Sequence, residues 1–363
     1  MNSSTLCGRA LFLSLGVVLG LTPSARAQWQ QCTGTAALNM QSLGSRGAYA
    51  FAGGATGAYR SSDLAAGFVF SNNGNDAVGP TRGFASDKSF VYTCTSQGVF
   101  RSSNDGATWL SKSSGLSSLL SHGLIQVQTR LFLVGAAGVF RSDNQGDAWA
   151  SAGLAGIDVR CITAIDSTLF VGTNSSGIYR SMDLGATWTA MNNGLTSTTF
   201  RAIEAKGSSL FAGGQIGTGV FRSTDLGASW TLLSGGLPTG SYRGFATSGS
   251  LIFAGSFTAG VFYSRNNGTT WTALNTGLTD LSIFDLSVHN NTLLAATNTQ
   301  GVFRFALTNL FDLSGDGCIG AQDLSVLLSS WGPCASCAAD FDGDGAVGAT
   351  DMAQLLSRWG ECG

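Results

Sequence analysis

Two twelve-residue stretches hold the side chains best suited to chemistry, "DLSGDGCIGAQD" (Asp312–Asp323) and "DFDGDGAVGATD" (Asp340–Asp351). Oxygen-bearing side chains fall at positions 1, 3, 5 and 12 of each. They are Asp312, Ser314, Asp316 and Asp323 in the first, and Asp340, Asp342, Asp344 and Asp351 in the second. At position 7, Cys318 and Ala346 offer backbone carbonyls, and Gly317 and Gly345 fill the sharp turn at position 6. Hard oxygen donors at this spacing suit Ca²⁺, one ion per loop and two in all. Position 12 is Asp rather than Glu, so the last ligand has a shorter reach.

Other reactive residues are sparse. The chain has two histidines, His122 and His289, and their repeat positions suggest neither a metal pair nor a triad. Glycoside hydrolysis needs two carboxylates roughly 5–10 Å apart. Glu204, Asp158, Asp280 and Asp285 are the candidates ahead of the acidic tail, and no pattern makes them converge. Basic residues do recur in register: Arg82, Arg160, Arg201 and Arg243, with His122 near the equivalent place. They form a partial cationic ring if their strands meet at one mouth, suited to a carboxylate, a sulfate or an acidic tail. Their competing role is to cap carbonyls of a neighbouring structural unit.

The elements that position these residues follow from a repeat. "GVFRS" occurs at Gly98, Gly138 and Gly219, with variants at Gly57, Gly177, Gly260 and Gly301. The seven starts lie about 40 residues apart, the length of a propeller blade. In the fourth copy "VRCITAI", "TLFVGT", "GIYRS" and "TWTAM" read as four short strands bounded by turn residues. Between the last two strands, "SMDLGATW" (Ser181–Trp188) recurs as "SSNDGATW", "SDNQGDAW", "STDLGASW" and "SRNNGTTW". Ser and Asp side chains there bond nearby amides, and the glycine supplies a positive φ. The seventh copy has Asp312 where its tryptophan falls due, whereas Trp29 in "QWQQC" matches the start of "TWTAM". Residues 28–32 are therefore expected to supply the outer strand of blade seven and close the ring. The fold class expected is an all-β seven-bladed propeller, residues 28–307, followed by a small helical calcium-loop domain, residues 308–363.

The Ser-x-Asp-x-Gly-x-Thr-Trp string resembles the Asp box, or BNR repeat, of sialidase-like propellers; the copy at Ser61, "SSDLAAGF", is degraded. The "RIP"-type signature and the arginine trio of sialidases are missing. Repeat shape and strand arginines such as Arg101, Arg141 and Arg180 are also similar to the photosystem II assembly factor type, which acts by binding. Those arginines are expected to make inter-blade contacts.

The tail resembles a type I dockerin. Each loop precedes an amphipathic helix, with Leu324, Leu327, Leu328 and Trp331 on one face of the first and Met352, Leu355, Leu356 and Trp359 on one face of the second. That resemblance implies docking onto a cohesin-like partner. Positions 10 and 11, which help choose the partner in that family, are here Ala321–Gln322 and Ala349–Thr350. Residues 312–363 hold seven Asp, one Glu and Arg358, a net of −7; the whole chain is −2, so the remainder is +5.

Composition narrows the function. Charged residues are 11%, with no basic run, which argues against nucleic acid. Arg9, the apolar Ala10–Leu21 and "ARA" (Ala25–Ala27) read as a signal peptide over residues 1–27. No other stretch is apolar enough to span a membrane, so the mature chain is expected to be secreted or extracytoplasmic. There Cys318, Cys334, Cys337 and Cys362 are expected to form disulfides of open connectivity, with a zinc site as the alternative, and Cys32, Cys94 and Cys161 to stay unpaired. The function expected is an exported, non-enzymatic binding or scaffold protein recognising a protein, polysaccharide or acidic ligand. The alternative is a glycoside hydrolase with its site on the upper propeller face.

Overall fold

In this computed structural model the residues described are 28–363, without 64, 75–78, 216, 335–336 and 363; the expected signal segment lies outside them. Seven four-stranded antiparallel sheets form, one per repeat. Blade 4 runs Val159–Ile165, Thr168–Thr173, Ile178–Ser181 and Thr189–Ala190 from the axis outward. Second strands are buried along nearly their whole length, as in Arg130–Gly135 and Leu251–Ser256. Sheets pack on both their faces, so these strands read as apolar runs rather than alternating ones.

The ring closes as the misplaced tryptophan predicts. Gln30 pairs with Arg304 and Gln31 with Phe303, so the first strand becomes the outer strand of blade 7. Trp29 Nε1 donates to Leu274 O of blade 6 at 2.6 Å. Trp109, Trp149, Trp188 and Trp230 make the same bond to the preceding blade, at Ser71, Lys112, Ala152 and Met191. Trp271 instead bonds Gly268 in its own turn.

The recurrent turn bonds through its own side chains. Ser181 Oγ accepts the Gly185 N–H at 2.8 Å, and Asp183 accepts the N–H and hydroxyl of Thr187. The Thr187 bonds, with Ser181 beside them, pull the Asp183 carboxyl down to about 2. Gly185 sits at φ +87°, open to it because it lacks Cβ. A second strap crosses four of the interfaces the other way. Arg60, Arg101, Arg180 and Arg222 donate to the turn carbonyls of Asp105, Gln145, Leu226 and Asn267 in the next blade. Arg141 departs from the expected inter-blade role. Only its blade carries an acid directly after the turn serine, and Asp143 captures its guanidinium at 3.0 Å.

The chain beyond blade 7 forms a 3₁₀ turn (Leu307–Leu310) and two helices, α1 (Ala321–Ser329) and α2 (Ala349–Leu356). The stretch Leu307–Phe311, at the boundary expected between propeller and tail, is itself core. Leu307 and Phe311 pack with Phe253, Phe305, Phe341 and Leu355 in one cluster. Arg265 of blade 6 donates to Leu310 O at 2.7 Å and lies over the rings of Phe311 and Phe341. The amphipathic faces are only half used. Leu327 and Leu355 are fully buried, whereas Leu328, Trp331, Leu356 and Trp359 stay about half exposed. Cys318 pairs with Cys362 and Cys334 with Cys337; Cys32, Cys94 and Cys161 are free. No helix among the described residues is long and apolar enough to cross a membrane.

Candidate functional site

Each innermost strand carries a β-bulge at its second residue. Pairing skips Gln41, Arg82, His122, Arg160, Arg201, Arg243 and Phe284 in blades 1 to 7. A bulged residue leaves the ladder and is re-aimed, and here all seven line one axial cavity of about 380 Å³. In blade 6 the residue after the bulge must be small, because blade 7 packs against it. A Cβ on Gly244 would lie 2.6 Å from Asp285 Cα.

The four arginines named from sequence thus share one mouth, with blades 4, 5 and 6 giving three in succession. Among the described residues none of the four caps a carbonyl, and Nε of Arg82, Arg160, Arg201 and Arg243 is buried without a hydrogen-bond partner. Arg160 pairs with Asp158, and Arg82 Nη1 is 3.5 Å from His122 Nδ1. His122 Nε2 is 3.2 Å from Asp158 Oδ1 but off the hydrogen-bond line. Burial, reinforced by Arg160, pushes His122 down to about 4, so it is neutral at pH 7. Burial also lowers Arg82, Arg201 and Arg243; Arg160 adds repulsion to the first two and Arg201 to the third. Arg243 stacks 3.6 Å from the Phe257 centroid and 5.0 Å from that of Phe284. Positive groups crowded in this way, with Asp158 the one acid bonded to them, favour an anion.

Sequence reasoning missed two features of this channel. Gln41 and Phe284 complete the ring, and their signal was register: every bulged residue lies 16 to 18 positions before its repeat glycine. Glu204 and Asp285 also share the cavity. Asp285 accepts the N–H groups of Leu43 (2.8 Å) and Leu286 (2.9 Å), tying blade 7 to blade 1. Burial nevertheless pushes it up to about 7. Glu204 makes no hydrogen bond among the described residues; burial, then the charge of Asp285, push it up to about 8. Of the other acids considered, Asp280 is consumed by Ser282 and Thr299.

In the tail, carboxylate oxygens of Asp312, Asp316 and Asp323 lie within 4.8 Å of one another, as do those of Asp340, Asp342 and Asp351. Asp344 is outside the second group and accepts the Ala346 N–H at 2.8 Å. Asp323 and Asp351 each bond the N–H groups at the loop start and, at 2.7 Å, that of Gly320 or Gly348 at the helix start. Three converging carboxylates form a donor set that fits a hard divalent cation.

No protein-family model matches the chain, and no curated protein does. Solved structures do match. The BT4673 extracellular domain from B. thetaiotaomicron is 12% identical, with a TM-score of 0.65 over 77% of this chain and 40% of its own. A GH74 xyloglucanase from Xanthomonas campestris is 17% identical, with a TM-score of 0.63 over 78% of this chain and 54% of its own. YCF48 from Cyanidioschyzon merolae is 11% identical, with a TM-score of 0.62 over 77% and 99%. YCF48 has also been solved bound to a D1 peptide. What the chain shares with them is the propeller fold. It spans less than half the length of the first of these relatives.

Proposed function

We propose that this is an exported binding or scaffold protein whose propeller channel holds the anionic group of a protein or glycan ligand. The crescent of Arg82, Arg160, Arg201 and Arg243 carries this reading, because seven equivalent bulges deliver four guanidinium groups to one mouth. The peptide-bound YCF48 structure supports a binding role for the fold. Octanoate serves as a minimal carboxylate probe. Arg201→Gln and Arg243→Gln are each expected to weaken its binding about tenfold in calorimetry, the loss of one charge-assisted contact. Unchanged affinity in both variants rejects the site.

The tail is read as a dockerin-like module with one Ca²⁺ per loop. Asp312, Ser314, Asp316, Asp323 and the Cys318 carbonyl would hold the first ion. Asp340, Asp342, Asp344, Asp351 and the Ala346 carbonyl would hold the second. A bound ion would relieve repulsion among the clustered carboxylates and fix α1 and α2. The half-exposed Leu328, Trp331, Leu356 and Trp359 then offer a face for a cohesin-like partner. Calorimetry is expected to give two ions per chain, falling to one in Asp323→Ala. No heat on calcium addition would remove the module reading.

One observation favours the hydrolase reading: Glu204 and Asp285 share a cavity with raised proton affinity, as a general acid requires. Asp285 is engaged by two backbone amides, which speaks against a free base. Turnover on a polysaccharide panel that disappears in Glu204→Gln would restore the enzyme.

A further inference from the structure

The channel has three levels. At the mouth stands the arginine crescent. Below it Leu124, Ile162, Ile203, Phe245 and Leu286, each more than nine-tenths buried, add apolar edges to the lining, and Asp285 stands one residue after the bulged Phe284. Glu204 follows three residues after Arg201 on the same strand, about 10 Å further along at roughly 3.3 Å per residue. Its carboxyl lines the cavity and has no hydrogen-bond partner among the described residues, whereas Asp285 is already bonded to two backbone amides. A cavity of about 380 Å³ is large enough for a small ligand spanning both levels.

Resting on the anion-binding reading above, we propose that the channel takes an extended ω-amino carboxylate. The crescent holds the carboxylate, the apolar level packs the methylene chain, and Glu204 receives the ammonium. Cationic and acidic levels separated by an apolar one select against a simple fatty acid, which leaves Glu204 unanswered. They also select against a short amino acid, which cannot span them.

Protonation provides a signature. Asp285 is the charged group that acts on Glu204; Arg82, His122, Arg160, Arg201 and Arg243 line the same cavity toward the mouth, and Lys206 lies two residues further along the Glu204 strand. Burial keeps Glu204 protonated up to about pH 8. It must lose that proton to receive an ammonium, so binding releases a proton and tightens as pH rises.

The test uses the full chain and four probes in calorimetry: 8-aminooctanoate, octanoate, octylamine and 4-aminobutanoate. At high pH, 8-aminooctanoate is expected to bind about tenfold or more tighter than each of the others, one charge-assisted contact. Its advantage over octanoate should shrink about tenfold per pH unit below about 8. Glu204→Gln should abolish that advantage while keeping octanoate binding. Equal binding of octanoate and 8-aminooctanoate overturns this proposal and leaves the anion site standing. Octylamine binding as tightly as 8-aminooctanoate overturns it too, since the crescent then contributes nothing. If neither carboxylate binds, both readings fail together.

Discussion

Trp29→Ala is expected to destabilise the protein by about 3–5 kcal/mol, the range for truncating a buried large aromatic. Trp29 is 3% exposed, tilts against Phe305 at 5.5 Å between centroids, and bonds Leu274 O. It also anchors the strand that closes the ring, for Gln30 and Gln31 pair with Arg304 and Phe303 directly after it. Without it, blade 7 presents an unpaired edge. Trp188→Ala, at an equivalent latch in mid-ring, is expected to cost less, since Trp188 is only partly buried and its blade keeps all four strands. Denaturant midpoints for the two variants decide the matter. Equal losses would mean that closure adds nothing beyond local packing.

Glu204→Gln should stabilise the protein at alkaline pH, an unusual gain for a mutation in a candidate site. Unfolded, this carboxyl releases its proton near 4.5; folded, it keeps it until about 8. The protonated group's contribution is therefore complete below 4.5 and lost progressively as pH rises to about 8. Glutamine, always neutral, suffers no such loss. One pK unit corresponds to about 1.4 kcal/mol, and water in the lumen screens part of it, so a gain of about 1–3 kcal/mol at pH 8 is expected. Near pH 4.5 the two proteins should be equally stable. Parallel stability curves across this range would show that Glu204 is well solvated. The gain also illustrates why such a residue marks function, since a binding site tolerates an instability that packing alone would remove.

Much of the channel was legible because the repeat sets its register. Once the repeat glycines are aligned, Arg82, His122, Arg160, Arg201 and Arg243 fall within two positions of one another. The bulge that turns them toward the axis was not legible. It is a backbone feature with no side-chain code of its own beyond small residues such as Gly83, Gly123 and Gly244 after it. Arg141 was misread for a local reason. Its repeat position matches Arg101 and Arg180, but the neighbouring Asp143 outbids a carbonyl in the next blade.

The tail shows the same division. Spacing alone placed the Asp residues and the helices after them, yet a helical stripe does not say what covers it. Leu327 and Leu355 found the cluster around Phe311 and Phe341, while Trp331 and Trp359 did not.

The sequence by itself determined the seven repeats, the turn chemistry and the borrowed outer strand, since these depend on residues close in the chain or on a fixed period. Only the tertiary structure decided that Glu204 and Asp285 share one cavity, that four guanidinium groups gather at one mouth with their Nε atoms unbonded, and that the tail packs onto blades 6 and 7. Those outcomes depend on curvature: each sheet turns slightly about the axis, and only the accumulated turn brings residues more than eighty positions apart to one cavity.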